Sequence, residues 1–72
     1  MDDGQKIGLI AEALDIDEGA ISAETVLDDL EEWDSMNKLS LIVMFDDEFG
    51  KTLKSDDIKG FKIVGDIMAA MG

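Results

Sequence analysis

The sequence contains no cysteine, no histidine and no proline in its 72 residues. Without cysteine the chain has no disulfide, no thiolate nucleophile and no zinc–cysteine site, and a reducing compartment would not harm its fold. Without histidine it also lacks the side chain that most often serves as a general base. Because only carboxylates, lysines and hydroxyls remain as reactive groups, we expect a protein that is not an enzyme.

Basic residues are scarce as well. The chain has six, all of them lysine, against 18 acidic residues, which gives a formal net charge of −12. Nucleic acids and anionic membrane surfaces are bound by basic proteins, so both are excluded as partners. Such a charge favours a soluble monomer and attracts basic patches on other proteins.

Long hydrophobic runs are absent, so we expect no membrane insertion. The N-terminus carries Asp2 and Asp3 where a secretory signal would be basic, and we expect an intact cytoplasmic protein. The hydrophobic content of 46% is more than a disordered tail carries. We therefore predict one folded domain, residues 1–72, in which roughly 60% of the unfolded surface is buried.

Helical spacing of apolar residues begins near the N-terminus. A stripe at i, i+3, i+4 and i+7 predicts a helix over roughly residues 3–15: Ile7, Ile10, Ala11 and Leu14. The next segment, residues 15–34, has no sustained period and reads as a long loop, which in a small domain is usually functional. Its apolar residues are predicted to anchor it to the core: Ile16, Ile21, Val26, Leu27 and Leu30.

A second helix is predicted from about Ser35 to Phe49, with Asp34 as its N-cap and Gly50 as its C-terminal stop. Its inward side chains are predicted to be Leu39, Ile42, Val43, Phe45 and Phe49.

Two further helices complete the predicted fold. Ser55, followed by two acids, reads as the N-cap of a short helix near residues 56–61. A last helix has apolar residues at helical spacing: Val64, Ile67, Met68 and Met71. The fold class is therefore all-α, a four-helix bundle with a long first loop and a short third helix.

Ser35 lies in the first turn of the second helix, where backbone N–H groups are unpaired and the helix dipole is positive. A phosphodiester on its Oγ would be stabilised there. A serine near a helix start is also an ordinary first-turn residue, and position alone favours this plainer interpretation.

Three motifs point beyond position. Asp34-Ser35-Met36 resembles the Asp-Ser-Leu attachment motif of the acyl carrier protein family, and "IVGDI" at residues 63–67 resembles the Thr-Val-Gly-Asp-Leu signature that opens the last helix of that family. The stretch "ISAETVLDDL" resembles the loop before the serine motif. The resemblance covers nearly the whole chain.

This resemblance implies that Ser35 carries 4′-phosphopantetheine, which a phosphopantetheinyl transferase transfers from coenzyme A with the help of magnesium. The cofactor would supply the thiol that the sequence lacks, and the chain would carry acyl groups as thioesters for other enzymes. Asp34 would help to place the transferase's magnesium and Ser35, and Met36 would contact partner enzymes. No metal site intrinsic to the chain is implied.

The resemblance also implies that basic patches of acyl-processing enzymes dock on the acidic residues Asp46, Asp47 and Glu48, which on their own read as a solvated helix face. Asn37 and Ser40 depart from the family pattern, because these positions are commonly acidic in fatty-acid carriers. This departure favours a specialised carrier.

Glu32, Trp33 and Lys62 also depart from the family pattern, which has a glycine, small residues and a hydroxyl cap at these places. Trp33 is either a core anchor or a contact for partners beside Ser35.

Leu39, Ile58 and Phe61 are either ordinary core or the lining of a cleft for a short acyl chain between the second and third helices.

The same residues are compatible with other function classes to different degrees. "DIDEGAISAETV" fails as a calcium loop, because glycine is at loop position 5 and Val26 stands at the twelfth place. A peptidyl, aryl or D-alanyl carrier with the same modified serine remains open. So does an unmodified acidic interaction module, in which Ser35→Ala would be silent.

Overall fold

The computed structural model describes residues 2–71 and confirms the all-α prediction. Four helices follow one another: α1 (Asp3–Leu14), α2 (Ser35–Phe49), α3 (Ser55–Gly60) and α4 (Val64–Ala70). Two short 3₁₀ turns interrupt the long loop between α1 and α2, at Glu18–Ala20 and Leu27–Asp29.

The core is built by α1, α2 and α4 with two anchors from the long loop. Its buried members are apolar: Ile10, Ala11, Leu14, Ile21, Leu27, Leu41, Phe45, Val64, Ile67, Met68 and Met71. Burial of each large side chain contributes about 1.5–3 kcal/mol to folding. The short helix α3 stands apart, because its buried residue Ile58 is not a member of this cluster.

The inward face of α2 agrees with the prediction at Phe45 and differs from it at Leu39 and Val43. Leu41 and Phe45 are fully buried, whereas Leu39 is 61% exposed and Val43 is 53% exposed. Residues 41–45 are all apolar, so helical spacing alone does not determine which side meets the core. Packing against α1 selects Leu41 and Phe45, and Leu39 and Val43 are left on the outer side.

The long loop is fastened to the start of α4 by its backbone. The N–H of Leu27 donates to the Lys62 carbonyl at 2.9 Å, and the N–H of Gly65 donates to the Ala23 carbonyl at 2.7 Å. A Cβ on Gly65 would lie 3.0 Å from that carbonyl oxygen, so the close approach favours glycine.

Val26 pairs with Ile63 in an isolated antiparallel bridge, also at the start of α4. Its side chain is 44% exposed, so the prediction that Val26 anchors the loop was wrong. Successive side chains of an extended segment point to opposite sides, and the neighbouring Leu27 is the one that is buried.

The ends of the helices follow local capping chemistry, and the predicted N-cap of α3 is corrected. α1 ends at Leu14 because Asp15 takes a left-handed conformation with φ of 57°, a conformation that Asp tolerates. Ser55 is the first residue of α3 and not its N-cap, which is Lys54. The N-terminus of α3 is instead capped by Asp57 in its first turn, because the backbone N–H of Lys54 donates to Asp57 Oδ2 at 2.9 Å.

The longest helix, α2, has 15 residues. Within residues 2–71, none of the helices combines the length and the apolar character needed to cross a membrane.

Candidate functional site

Ser35 is the first residue of α2 and its side chain is exposed. The predicted N-cap is confirmed, because Asp34 Oδ1 accepts a hydrogen bond of 2.9 Å from the Asn37 N–H. The cap holds the Asp34 carboxylate beside Ser35 and begins the helix at that residue. The serine hydroxyl is therefore presented to solvent at the positive end of the longest helix.

Asn37 ties this helix start to the rest of the fold. Its Nδ2 donates to the Glu32 carbonyl at 2.8 Å and to the Leu14 carbonyl at 3.1 Å. One amide thus joins the turn before Ser35 and the end of α1 to α2. From the sequence, Asn37 was noted only because its position is commonly acidic in fatty-acid carriers, and these hydrogen bonds were not predicted. The available signal was that an amide offers two N–H donors while a carboxylate offers none.

Trp33 is half-buried and packs against the core cluster. The Lys38 ammonium lies 5.3 Å from the centroid of its ring, within the range of a cation–π interaction. The Trp33 ring, two residues before Ser35, therefore contacts both the core cluster and the Lys38 ammonium.

Exposed apolar side chains follow Ser35 along α2. Met36 is 80% exposed, and with Leu39 and Val43 it forms an apolar stripe at i, i+3 and i+7 on one side of the helix. Ser40 is also exposed, and its Oγ donates to the Met36 carbonyl at 3.3 Å. The first two turns of α2 thus present apolar and not acidic groups.

The predicted acidic residues Asp46, Asp47 and Glu48 are all exposed and lie at the other end of α2. At 1.5 Å per residue, Asp47 is roughly 16 Å along the helix axis from Met36. The surface of α2 therefore has two parts, the apolar stripe near Ser35 and an acidic end away from it.

A surface pocket of about 360 Å³ opens beside Ser35, between α2 and α3. Its lining combines hydroxyls, lysines and apolar side chains: Ser35, Lys38, Leu39, Ile42, Ser55, Ile58 and Lys59. Of the three residues predicted for an acyl cleft, Leu39 and Ile58 line this pocket together with the serine. Phe61 is not in its lining and packs, half-buried, against the core cluster.

The Asp66 carboxyl group has a lowered pKa. Hydrogen bonds from the N–H groups of Lys62 and Ile63 lower the pKa of Asp66 below its ordinary value of 3.8. Asp66 caps the start of α4, where Ile63 is the N-cap position and no hydroxyl is present. Its role is therefore to hold α4 and the loop that joins α3 to it.

Comparison with known proteins identifies a family. The family model described as "Phosphopantetheine attachment site" matches residues 7–71. No curated protein and no solved structure matches the chain.

Proposed function

The chain belongs to the phosphopantetheine attachment-site family of carrier proteins, which bind 4′-phosphopantetheine covalently, and we propose that Ser35 is the attachment residue. The proposed cargo is an acyl group. The observation that carries the proposal is the position of the serine. It is exposed, it begins α2, and Asp34 and Asn37 hold its turn in place.

The residues around Ser35 fit a phosphodiester. The backbone N–H groups and the positive dipole at the start of α2 favour an anion, and Lys38, which lines the same pocket as Ser35, adds a positive charge. Exposure of Ser35 allows a transferase to reach the hydroxyl. In the attachment step Ser35 Oγ bonds to phosphorus as the pyrophosphate bond of coenzyme A breaks. The hydroxyl proton passes to the transferase and the adenosine bisphosphate leaves.

Carriers of this family are modified by a phosphopantetheinyl transferase and interact with other enzymes. This cysteine-free chain has no thiol of its own. When attached, the cofactor supplies a thiol on which acyl groups are carried as thioesters. The chain itself presents the serine, orients it and offers a docking surface. We assign it no catalytic residue.

Docking would use both parts of the α2 surface. Met36 lies directly beside Ser35 and is the most exposed large apolar side chain of α2, so it fits an apolar contact with a partner enzyme. Trp33, on the other side of the serine, presents its remaining exposed surface to the same partner. Asp46, Asp47 and Glu48 would meet basic residues further along.

A specialised acyl carrier is favoured over a general fatty-acid carrier by the apolar stripe and by Asn37. An acid at either position would attract basic partners. Instead, the Asn37 side chain donates hydrogen bonds to two backbone carbonyls, and the Ser40 hydroxyl donates to a carbonyl of its own helix. Recognition near the arm would then depend on apolar contact, which suits a small set of dedicated enzymes. Peptidyl, aryl and D-alanyl cargoes are compatible with the same surface.

Intact-protein mass after incubation with coenzyme A, magnesium and a broad-specificity transferase tests this proposal. We expect the wild type and Ser40→Ala to gain the mass of one phosphopantetheinyl group, and Ser35→Ala to gain none. Ser40 is the matched control because it is an exposed serine on the same helix. A chain that stays unmodified with several transferases would support the acidic interaction module instead.

A further inference from the structure

The pocket between α2 and α3 has an unusual charge for this protein. Two of the six lysines, Lys38 and Lys59, line it, and none of its lining residues is acidic. The groove between α1 and α2 has the opposite character, with Glu12, Asp47 and Glu48 in its lining. In a chain with three acids for every base, a pocket whose lining has two lysines and no acid favours an anionic occupant.

The pocket also has an apolar part. Leu39 and Ile42 from α2 face Ile58 from α3 across it. Leu39 is largely exposed in this arrangement, so an apolar ligand that covered it would remove apolar surface from water. An occupant that combines a negative charge with a compact apolar group matches the lining.

We propose that this pocket holds the first half of the prosthetic arm, with the phosphodiester between Lys38 and Lys59 and the branched pantoyl group against Leu39, Ile42 and Ile58. The inference rests on the proposed attachment at Ser35. It assigns the pocket to the arm and not to the acyl cargo. Because the phosphodiester is bonded to Ser35 Oγ, the pantoyl group is the part of the arm that must lie next to this residue, while the cargo is at the far end.

Lys38 is placed for this contact by its position on α2. It is three residues after Ser35, so the two side chains lie on the same side of the helix. Its ammonium lies 5.3 Å from the centroid of the Trp33 ring, and Lys38 lines the same pocket as Ser35. An ammonium donates three hydrogen bonds, and such charge-assisted bonds to phosphate are among the stronger ones in proteins.

Lys59 approaches from the other wall, near the end of α3. Binding the phosphodiester from both walls would join α3 to α2 more firmly, since α3 contributes no residue to the main core cluster. Attachment of the arm should therefore change the environment of α3 as well as that of Ser35. An arm that does not bind in the pocket would leave α3 unchanged.

Backbone amide NMR spectra of the apo and holo proteins test the inference, after mass has verified attachment. We expect attachment to shift the amides of Ile58 and Lys59 as well as those following Ser35. The double variant Lys38→Gln/Lys59→Gln should keep the shifts near Ser35 and largely lose those in α3. Lys6→Gln/Lys62→Gln is the matched control, because it removes the same charge from outside the pocket and should behave as the wild type.

Each outcome separates the two proposals. Verified attachment with unchanged Ile58 and Lys59 amides would overturn the pocket assignment and leave the carrier function standing. Shifts in α3 that arise only after acyl loading would assign the pocket to the cargo. Equal shifts in both double variants would exclude the lysines as the phosphate contact. Absence of any mass gain would remove the carrier function and the pocket assignment together.

Discussion

Asn37 donates a hydrogen bond of 2.8 Å from its side-chain amide to the main-chain carbonyl of Glu32. The same nitrogen reaches the Leu14 carbonyl at 3.1 Å, so the start of α2 is fastened both to the turn before Ser35 and to the end of α1. The position of the serine hydroxyl therefore depends on a side chain two residues further along the chain.

Replacing Asn37 by Asp should destabilise the fold. A carboxylate cannot donate to the two carbonyls and would repel them, so we expect the free energy of unfolding to fall by about 1–3 kcal/mol. Urea denaturation followed by circular dichroism measures this change. Ser40→Ala, which removes an exposed hydroxyl bonded to its own helix, should stay within about 0.5 kcal/mol of the wild type. Equal stability of Asn37→Asp and wild type would show that the tie contributes nothing.

The two parts of the α2 surface should respond differently to salt. Met36→Gln should raise the KM of the transferase for the apo protein at low and high salt alike, because the lost contact is apolar. Asp47→Asn should raise KM mainly at low salt, since ionic strength screens exposed charges. Kinetics at two salt concentrations measures both. If Met36→Gln has a strongly salt-dependent effect, or none, the apolar stripe is not a docking contact.

Charge repulsion should limit the stability of the whole domain. With a net charge of −12, millimolar magnesium or added sodium chloride should raise the melting temperature by screening the carboxylates. Thermal unfolding over a salt series measures the effect. The exposed double variant Asp46→Asn/Asp47→Asn should melt higher than the wild type at low salt and gain less from added salt. A flat response would mean that repulsion is unimportant.

Asp66 should contribute stability that is lost in acid. Its pKa in the folded protein is below 3.8, so its contribution is fully present above that pH and disappears as the pH falls through the folded pKa. Asp66→Asn should therefore be less stable than the wild type at pH 7, and the difference should narrow below pH 3.8. Unfolding measured across this pH range tests it. Asp17→Asn, in the exposed loop, is the control, and a constant Asp66→Asn difference down to acid pH would contradict the assignment.

Local chemistry made part of the fold predictable. Asp34 and Gly50 carry the cap and stop of α2 in their own side chain and backbone, so both ends of that helix were found from sequence. The inward side of α2 was predicted only in part: Phe45 is buried as predicted, but five consecutive apolar residues leave the remaining choice to the elements packed on them. Leu41 was missed for this reason, and Leu39 and Val43 were wrongly placed inside.

The candidate site divides in the same way. Ser35 was predicted as the attachment residue because a helix start and a local motif coincide there. The hydrogen bond from Asn37 to Leu14 joins residues that are 23 positions apart in sequence, and the position of Lys59 in the pocket lining depends on how α3 faces α2. Neither relationship can be predicted from a short window of sequence, because each depends on how distant elements pack together.

Fragmentation mass spectrometry of the modified protein tests the central claim most directly. The account predicts that the phosphopantetheinyl group lies on Ser35, within the fragment that contains Asp34 and Met36. A group located on Ser22, Ser40 or Ser55 would contradict it, and so would a chain that no transferase modifies.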